Sequence, residues 1–443
     1  MMNRVVFCTF SLLAAAPVFG QVQRIEPTPT PVKVVVTNNL PAPKPAATRP
    51  RTTPTPIVVG ASQNATSVVP SVPAAPIQSG PSSSTPTVQI TTAPASTSIE
   101  NLKFHSLGFR DLKSKIAEAK RYMQTRPLTT AAVNSPMAGE SVRIAFNNSR
   151  ENEIDYVVIS KAAFLSAKTE ALATSEGGTP LRIKTIRANG VNTPFAIIDD
   201  RGQTHLPLLV QYPVVREGKY YETAYYHSTH PGVVTPEVVN AGRLYVRNVI
   251  EIARERLKER GITVTPKIAD IAERLATVEH VDHLRFRTEP HNKIYDDIFT
   301  LYALNEGQTY RYSVSSAGAG GMVQMIPSTY RMVRSWHPNI PLKPDFVEGM
   351  RDHVNATQAM LLYMNRTWTD LMASPTVANA FSSGIATQEQ LMAAGYNSNP
   401  ARLAGYINRA GENWTNLIPR ETKIYLQIYD SLERFVPMNP RTR

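Results

Sequence analysis

Cysteine is nearly absent from this chain: of 443 residues only Cys8 is one, and it lies in an apolar N-terminal run. No disulfide framework can form, so the folded parts must be held by core packing and polar contacts. Beyond Gly20 there is no apolar stretch long enough to span a bilayer, so no transmembrane segment is expected in a mature chain. Metal-binding spacing is missing as well. The nearest gathering is Glu279, His280, Asp282 and His283, with His291 following, and it contains no H-E-x-x-H pattern. It reads as a charged surface turn at a helix end. No cofactor fingerprint or phosphate-cradling loop occurs, so neither cofactor nor metal is expected. The net charge of +12 raises nucleic acid as a partner, but the basic residues are scattered and form no basic–aromatic motif. Anionic polymers of a cell envelope suit that charge better.

What the chain does have changes character along its length. Residues 1–20 have the form of a secretory signal, with Arg4, an apolar run from Val5 to Ala16, and Val18-Phe19-Gly20 before Gln21. Export to the periplasm or cell envelope is the expectation. Residues 21–98 hold a large share of the 35 prolines and no aromatic residue. Such a segment has little to bury and is expected to be a disordered Pro/Thr/Ser-rich linker. From 101 to 230 an α+β domain is expected. Phe109, Leu112, Ile116, Ala119 and Met123 mark an amphipathic helix. The runs Ser141–Phe146, Ile154–Ile159, Leu181–Ile186, Phe195–Ile198, Leu206–Tyr212 and Lys219–Tyr226 are rich in β-branched and aromatic residues. Tyr220, Tyr221, Tyr225, Tyr226, His227 and His230 form either a sugar-stacking face or ordinary strand packing. Helical periodicity fills 236–436. Leu244, Val249, Ile250, Ala253 and Leu257 share one face, Gly261 suits a helix end, and Thr265-Pro266 supplies a cap and first-turn proline. Ile268, Ile271, Leu275 and Val278 carry the next stripe.

The densest pattern starts where an apolar helical run, Ile294 to Leu304, ends at Asn305-Glu306-Gly307. Nine residues after Glu306 comes the small-residue loop Ser315-Ser316-Ala317-Gly318-Ala319-Gly320-Gly321-Met322-Val323-Gln324, and a new helix opens at Pro327. A glutamate at such a junction is either a desolvated general acid or a solvated helix-end residue. Two later blocks follow, Ala394-Gly395-Tyr396-Asn397 through Arg402, and Ile418-Pro419-Arg420-Glu421-Thr422 through Tyr425.

These three blocks, in this order, resemble the catalytic core of the soluble lytic transglycosylases. Glu306 and Ser315 keep that family's spacing, and Gly318, Ala319, Gly321, Gln324, Pro327 and Thr329 fall in register. The chain departs from the family pattern at Gly307, Ser316, Met322-Val323 and Gly395. The resemblance implies a mainly α-helical, lysozyme-like C-terminal domain that cleaves peptidoglycan glycan strands between N-acetylmuramic acid and N-acetylglucosamine. Glu306 would act as acid and then as base, closing a 1,6-anhydro ring without water. By the same resemblance Ser315, Gln324, Tyr396, Asn397, Glu421 and Tyr425 would line the substrate groove. Gln324 and Asn397 have an equal claim to be scaffold, because amides often tie loops to backbone. A goose-type lysozyme that hydrolyses the same bond, and a wall-binding protein without activity, are the competing expectations.

Overall fold

A computed structural model describes residues 102–128 and 139–442, together with the backbone of two short strands before them. The expected signal segment 1–20 and, apart from those two strands, the expected linker 21–98 lie outside the described residues. The first strands, β1 (Val35–Val36) and β2 (Thr91–Pro94), pair with strands of the later chain.

Helix α1 (Phe109–Thr125) buries Leu112, Ile116, Ala119 and Met123, the stripe its sequence marks. An antiparallel sheet follows: β3 (Ser141–Asn148), β4 (Glu153–Ser160), β5 (Thr169–Thr174), β6 (Pro180–Thr185), β7 (Phe195–Asp199), β8 (Thr204–Arg216) and β9 (Lys219–Tyr226). A short helix, α2 (Lys161–Phe164), joins β4 to β5. The order across the sheet is β2-β5-β6-β7-β8-β3-β4, and β9 also pairs with β8. β8 curls the sheet, because β7 pairs with its first residues and β9 with the stretch from Val210 to Arg216. The β8–β9 hairpin turns at Glu217-Gly218, both with positive φ (50° and 74°), as a two-residue turn that follows strand twist requires. All six β-like runs in the sequence are strands. β5 was not expected: Thr-Glu-Ala-Leu-Ala-Thr favours helix locally, and pairing with β6 overrides that preference.

The rest is helical: α3 (Pro236–Lys258), α4 (Pro266–Val278), α5 (His283–Thr288), α6 (His291–Asn305), α7 (Pro327–Trp336), α8 (Phe346–Arg351), α9 (His353–Met372), α10 (Pro375–Ser382), α11 (Gln388–Asn397), α12 (Leu403–Ala410) and α13 (Arg420–Phe435). A two-residue strand, β10 (Ser313–Val314), pairs with β1. Thr265 caps α4 ahead of a first-turn proline, as the sequence indicates, and Thr235 caps α3 ahead of Pro236 in the same way. α9 is buried on most sides and packs against α3, α4, α7, α8, α10 and α11. One apolar cluster runs from Val142 in the sheet to Val436 after α13, so sheet and helices share a core. A second cluster fastens α1 to the sheet, to Val238 of α3 and to Ala303 and Leu304 of α6. Among the described residues no helix is long and apolar enough to cross a membrane.

The C-terminal segment is clasped by charge. The side chain of Arg441 is 3% exposed and pairs with Asp270 (2.7 Å), Glu273 (2.5 Å) and Glu251. The closest helix approach is α3 on α6, where a Cβ on Gly242 would lie 1.9 Å from the Phe299 carbonyl oxygen. Gly242→Ala must therefore push the two helices apart. The expected loss is at least the 1–3 kcal/mol or so usual for overpacking, read as a lowered midpoint in urea unfolding. An unchanged midpoint would mean the helices do not meet this closely.

Candidate functional site

Glu306 is the C-cap of α6, with a positive φ of 46°, and Gly307 follows it. Its side chain is 57% exposed and receives the Lys113 ammonium of α1, Nζ to Oε1 2.5 Å. Lys113 also approaches the Ala303 carbonyl at 3.5 Å, a cation at the negative end of a helix. The desolvated setting expected of a proton-donating Glu306 is thus not found. Its carboxylate is solvated and paired, and the nearby Tyr245 phenol is pushed above the usual tyrosine range by burial and by the Glu306 charge.

The loop after it is tied to itself. Ser315 is half-buried, and its hydroxyl accepts from the Ala319 amide at 3.0 Å. Gln324 is buried with φ 45°, and its amide nitrogen donates to the Gly321 carbonyl (2.8 Å) and to the Ser313 hydroxyl (3.4 Å). Gly321 has φ 66°, and a Cβ there would meet the Met350 carbonyl oxygen at 2.3 Å, so only glycine fits. Three non-glycine residues with positive φ, Glu306, Tyr310 and Gln324, fall within this short stretch. Strained backbone of this kind concentrates at functional sites.

The later blocks meet elsewhere than at Glu306. Tyr396, at the end of α11, donates its hydroxyl to the Val323 carbonyl at 2.6 Å and lies edge-on to Tyr363. Tyr425 of α13 is buried and donates its hydroxyl to Glu279 Oε1, also at 2.6 Å. Burial drives both phenols well above the usual tyrosine range, and in both the Glu279 charge is the next cause. Asn397 accepts from the Thr422 hydroxyl (2.9 Å), tying the second block to the third. Glu421 is exposed in the first turn of α13, where the helix dipole favours an acid. Gly395, in place of the family's alanine, is explained by crowding: a Cβ would sit 3.1 Å from that of Pro400.

Glu279 is the residue that the sequence reading missed. It caps the C-terminus of α4 and is only 4% exposed, so the expected charged surface turn is corrected to a buried corner. Its neighbour His280 is buried as well, donates Nε2 to the Met322 carbonyl at 2.8 Å, and stacks on Tyr310 with ring centres 3.4 Å apart. A signal was present: Glu279 lies four residues after Leu275, on the apolar stripe of α4. Asp282 caps α5, and His291 bonds Ser431 and the Phe286 carbonyl. Among the described residues no group of three or more His, Cys, Asp or Glu is placed to hold a metal ion. Tyr226, His227 and His230 are buried, which removes them from any sugar-stacking face. No family model, curated protein or solved structure matches this chain.

Proposed function

We propose that this chain is an exported peptidoglycan lytic transglycosylase with a lysozyme-like helical domain, and that Glu279 is its acid and base. One observation carries the reading: Tyr425 donates its hydroxyl to the buried Glu279 carboxyl, the Met322-Val323 loop is bonded to the neighbouring His280 and to Tyr396, and the Tyr396 phenol feels the Glu279 charge, so three separate blocks converge on one buried carboxyl. A proton-donating acid needs an enclosed setting of this kind. Glu306 has the family's spacing but is solvated and held by Lys113.

In the proposed reaction Glu279 gives its proton to the glycosidic oxygen between N-acetylmuramic acid and N-acetylglucosamine, and that C–O bond breaks. The sugar's own 2-acetamido oxygen stabilises positive charge at C1. The Glu279 carboxylate then takes the proton of the C6 hydroxyl as O6 bonds to C1. The acid is regenerated, and no water is consumed. Tyr425 holds the carboxyl in place through its hydroxyl, and Tyr396 holds the loop above it through Val323. Because Glu279 is enclosed, turnover requires this loop to lift. Its exposed tip, Ser316-Ala317, is followed by Gly318 and Gly321, both with positive φ. Only the tip is exposed; Met322 and Val323 are buried, so lifting this part of the loop breaks the His280 and Tyr396 hydrogen bonds.

Product analysis tests this reading. Purified sacculi treated with the full chain should yield muropeptides ending in 1,6-anhydro-N-acetylmuramic acid, lighter by one water than hydrolysis products. Reducing ends as the main product would make the protein a hydrolase. An absence of soluble products would remove the enzymatic reading.

A further inference from the structure

Three arginines meet where the β8–β9 hairpin touches the segment that enters the loop. Glu222 of β9 takes Arg351 at 2.9 Å and Arg311 at 3.3 Å, and Glu348 takes Arg351 at 3.0 Å. Both glutamates are therefore engaged by these two arginines. The third, Arg216 at the end of β8, sits over the Tyr221 ring with its guanidinium carbon 3.5 Å from the ring centre. Its Nε and Nη2 atoms are enclosed and have no acceptor among the described residues. Those two N–H groups lie along one edge of the guanidinium plane and point the same way, the arrangement that takes both oxygens of a carboxylate. Leaving such donors buried and unmade is costly. Burial holds the Arg216 guanidinium below its usual range, and the Arg351 charge adds to the effect against Tyr221 and Glu222.

This corner is continuous with the candidate site. Arg311 and Tyr312 run directly into Ser313, whose hydroxyl receives the Gln324 amide. Met350, next to Arg351, presents the carbonyl against which Gly321 packs. Tyr221, which packs its ring against the guanidinium, is itself 46% exposed.

We infer that Arg216, walled by Tyr221, is a binding residue for a carboxylate on the peptide branch of the glycan strand. The inference rests on the proposed peptidoglycan reading for its source of carboxylate. It assigns the end of the β-sheet a direct part in choosing strands that carry acidic peptides.

The test is direct binding to the full chain, by calorimetry, of a disaccharide tetrapeptide and of the same compound with its carboxylates amidated. Charge-assisted hydrogen bonds are worth enough that the acid form should bind about tenfold or more tightly. Arg216→Gln should abolish that preference while the unfolding temperature stays the same, and Arg216→Lys should keep part of it. Equal affinity for the two forms, or an undiminished preference in Arg216→Gln, overturns the inference. Inorganic phosphate, titrated alone, separates the sources: phosphate binding lost in Arg216→Gln with no preference among peptides would assign the site to a phosphate polymer and overturn the peptide assignment. A protein that yields no glycan products but keeps an Arg216-dependent carboxylate preference would sink the proposed reaction and leave this site standing.

Discussion

Glu279→Gln should abolish glycan cleavage, and Glu306→Gln should leave turnover within a few-fold of the wild type. The amide at 279 can keep the Tyr425 hydrogen bond as acceptor but has no proton to give. General acid–base catalysis contributes on the order of 10²–10⁴-fold, and here one group serves both steps. At 306 the amide loses only an ion pair with Lys113 whose carboxylate side is 57% exposed. Exposed pairs of this kind are worth about 0–1 kcal/mol, so the unfolding midpoint should barely move. Rates on sacculi for the two variants, with circular dichroism to show that both fold, decide between the glutamates. An inactive Glu306→Gln beside an active Glu279→Gln would return the acid to the position that sequence spacing indicates.

Stability should collapse as the solution is acidified from about pH 6.5 towards pH 4. Five histidines are buried among the described residues, and in three of them the downward shift is large. Burial pulls His227 down to about 4, His353 to about 4, and His230 to about 3, where the neighbouring His227 adds to the effect. The unfolded chain binds these protons near pH 6.5 and the folded chain only near pH 3–4. Between those limits the unfolded state holds more protons, so lowering the pH favours unfolding. Above the unfolded value the contribution is fully present. Each group accounts for about 1.4 kcal/mol per pH unit, or roughly 3 kcal/mol over the window. His353 donates Nε2 to the Thr309 carbonyl and its Nδ1 accepts from the Tyr245 hydroxyl, so protonation also breaks a bond beside the loop. Urea midpoints measured at several pH values should fall steeply below pH 6, and His353→Gln should flatten the slope by one proton. A midpoint constant from pH 7 to pH 4.5 would mean that these histidines are not buried.

The elements of this fold are written in local patterns. The three- and four-residue spacing of Leu112, Ile116, Ala119 and Met123 determined α1, Thr265-Pro266 determined where α4 starts, and Pro327 determined where α7 starts. Each depends only on near neighbours: a helix repeats every 3.6 residues, and a threonine cap or first-turn proline acts within one turn. β5 escaped because its own residues prefer helix and a partner strand decided otherwise.

The blocks around Tyr396 and Tyr425 were legible as motifs, and so was the small-residue loop. What no local pattern could settle was which carboxylate they serve. In sequence Glu306 stands nine residues before Ser315, while Glu279 lies 146 residues from Tyr425, and its phenol contact exists only because α4 and α13 pack together. Arg216 likewise lies far along the chain from Arg351 and meets it through the curl of β8 and the turn into α9. Periodicity tells a residue which side of its own element faces a core; the partner across that core is set by how the whole chain folds. Hence the sequence by itself determined α1, the starts of α4 and α7, six strands of the sheet and the small-residue loop, and only the tertiary structure decided that β5 is a strand, that Glu279 is enclosed and that Glu306 is not.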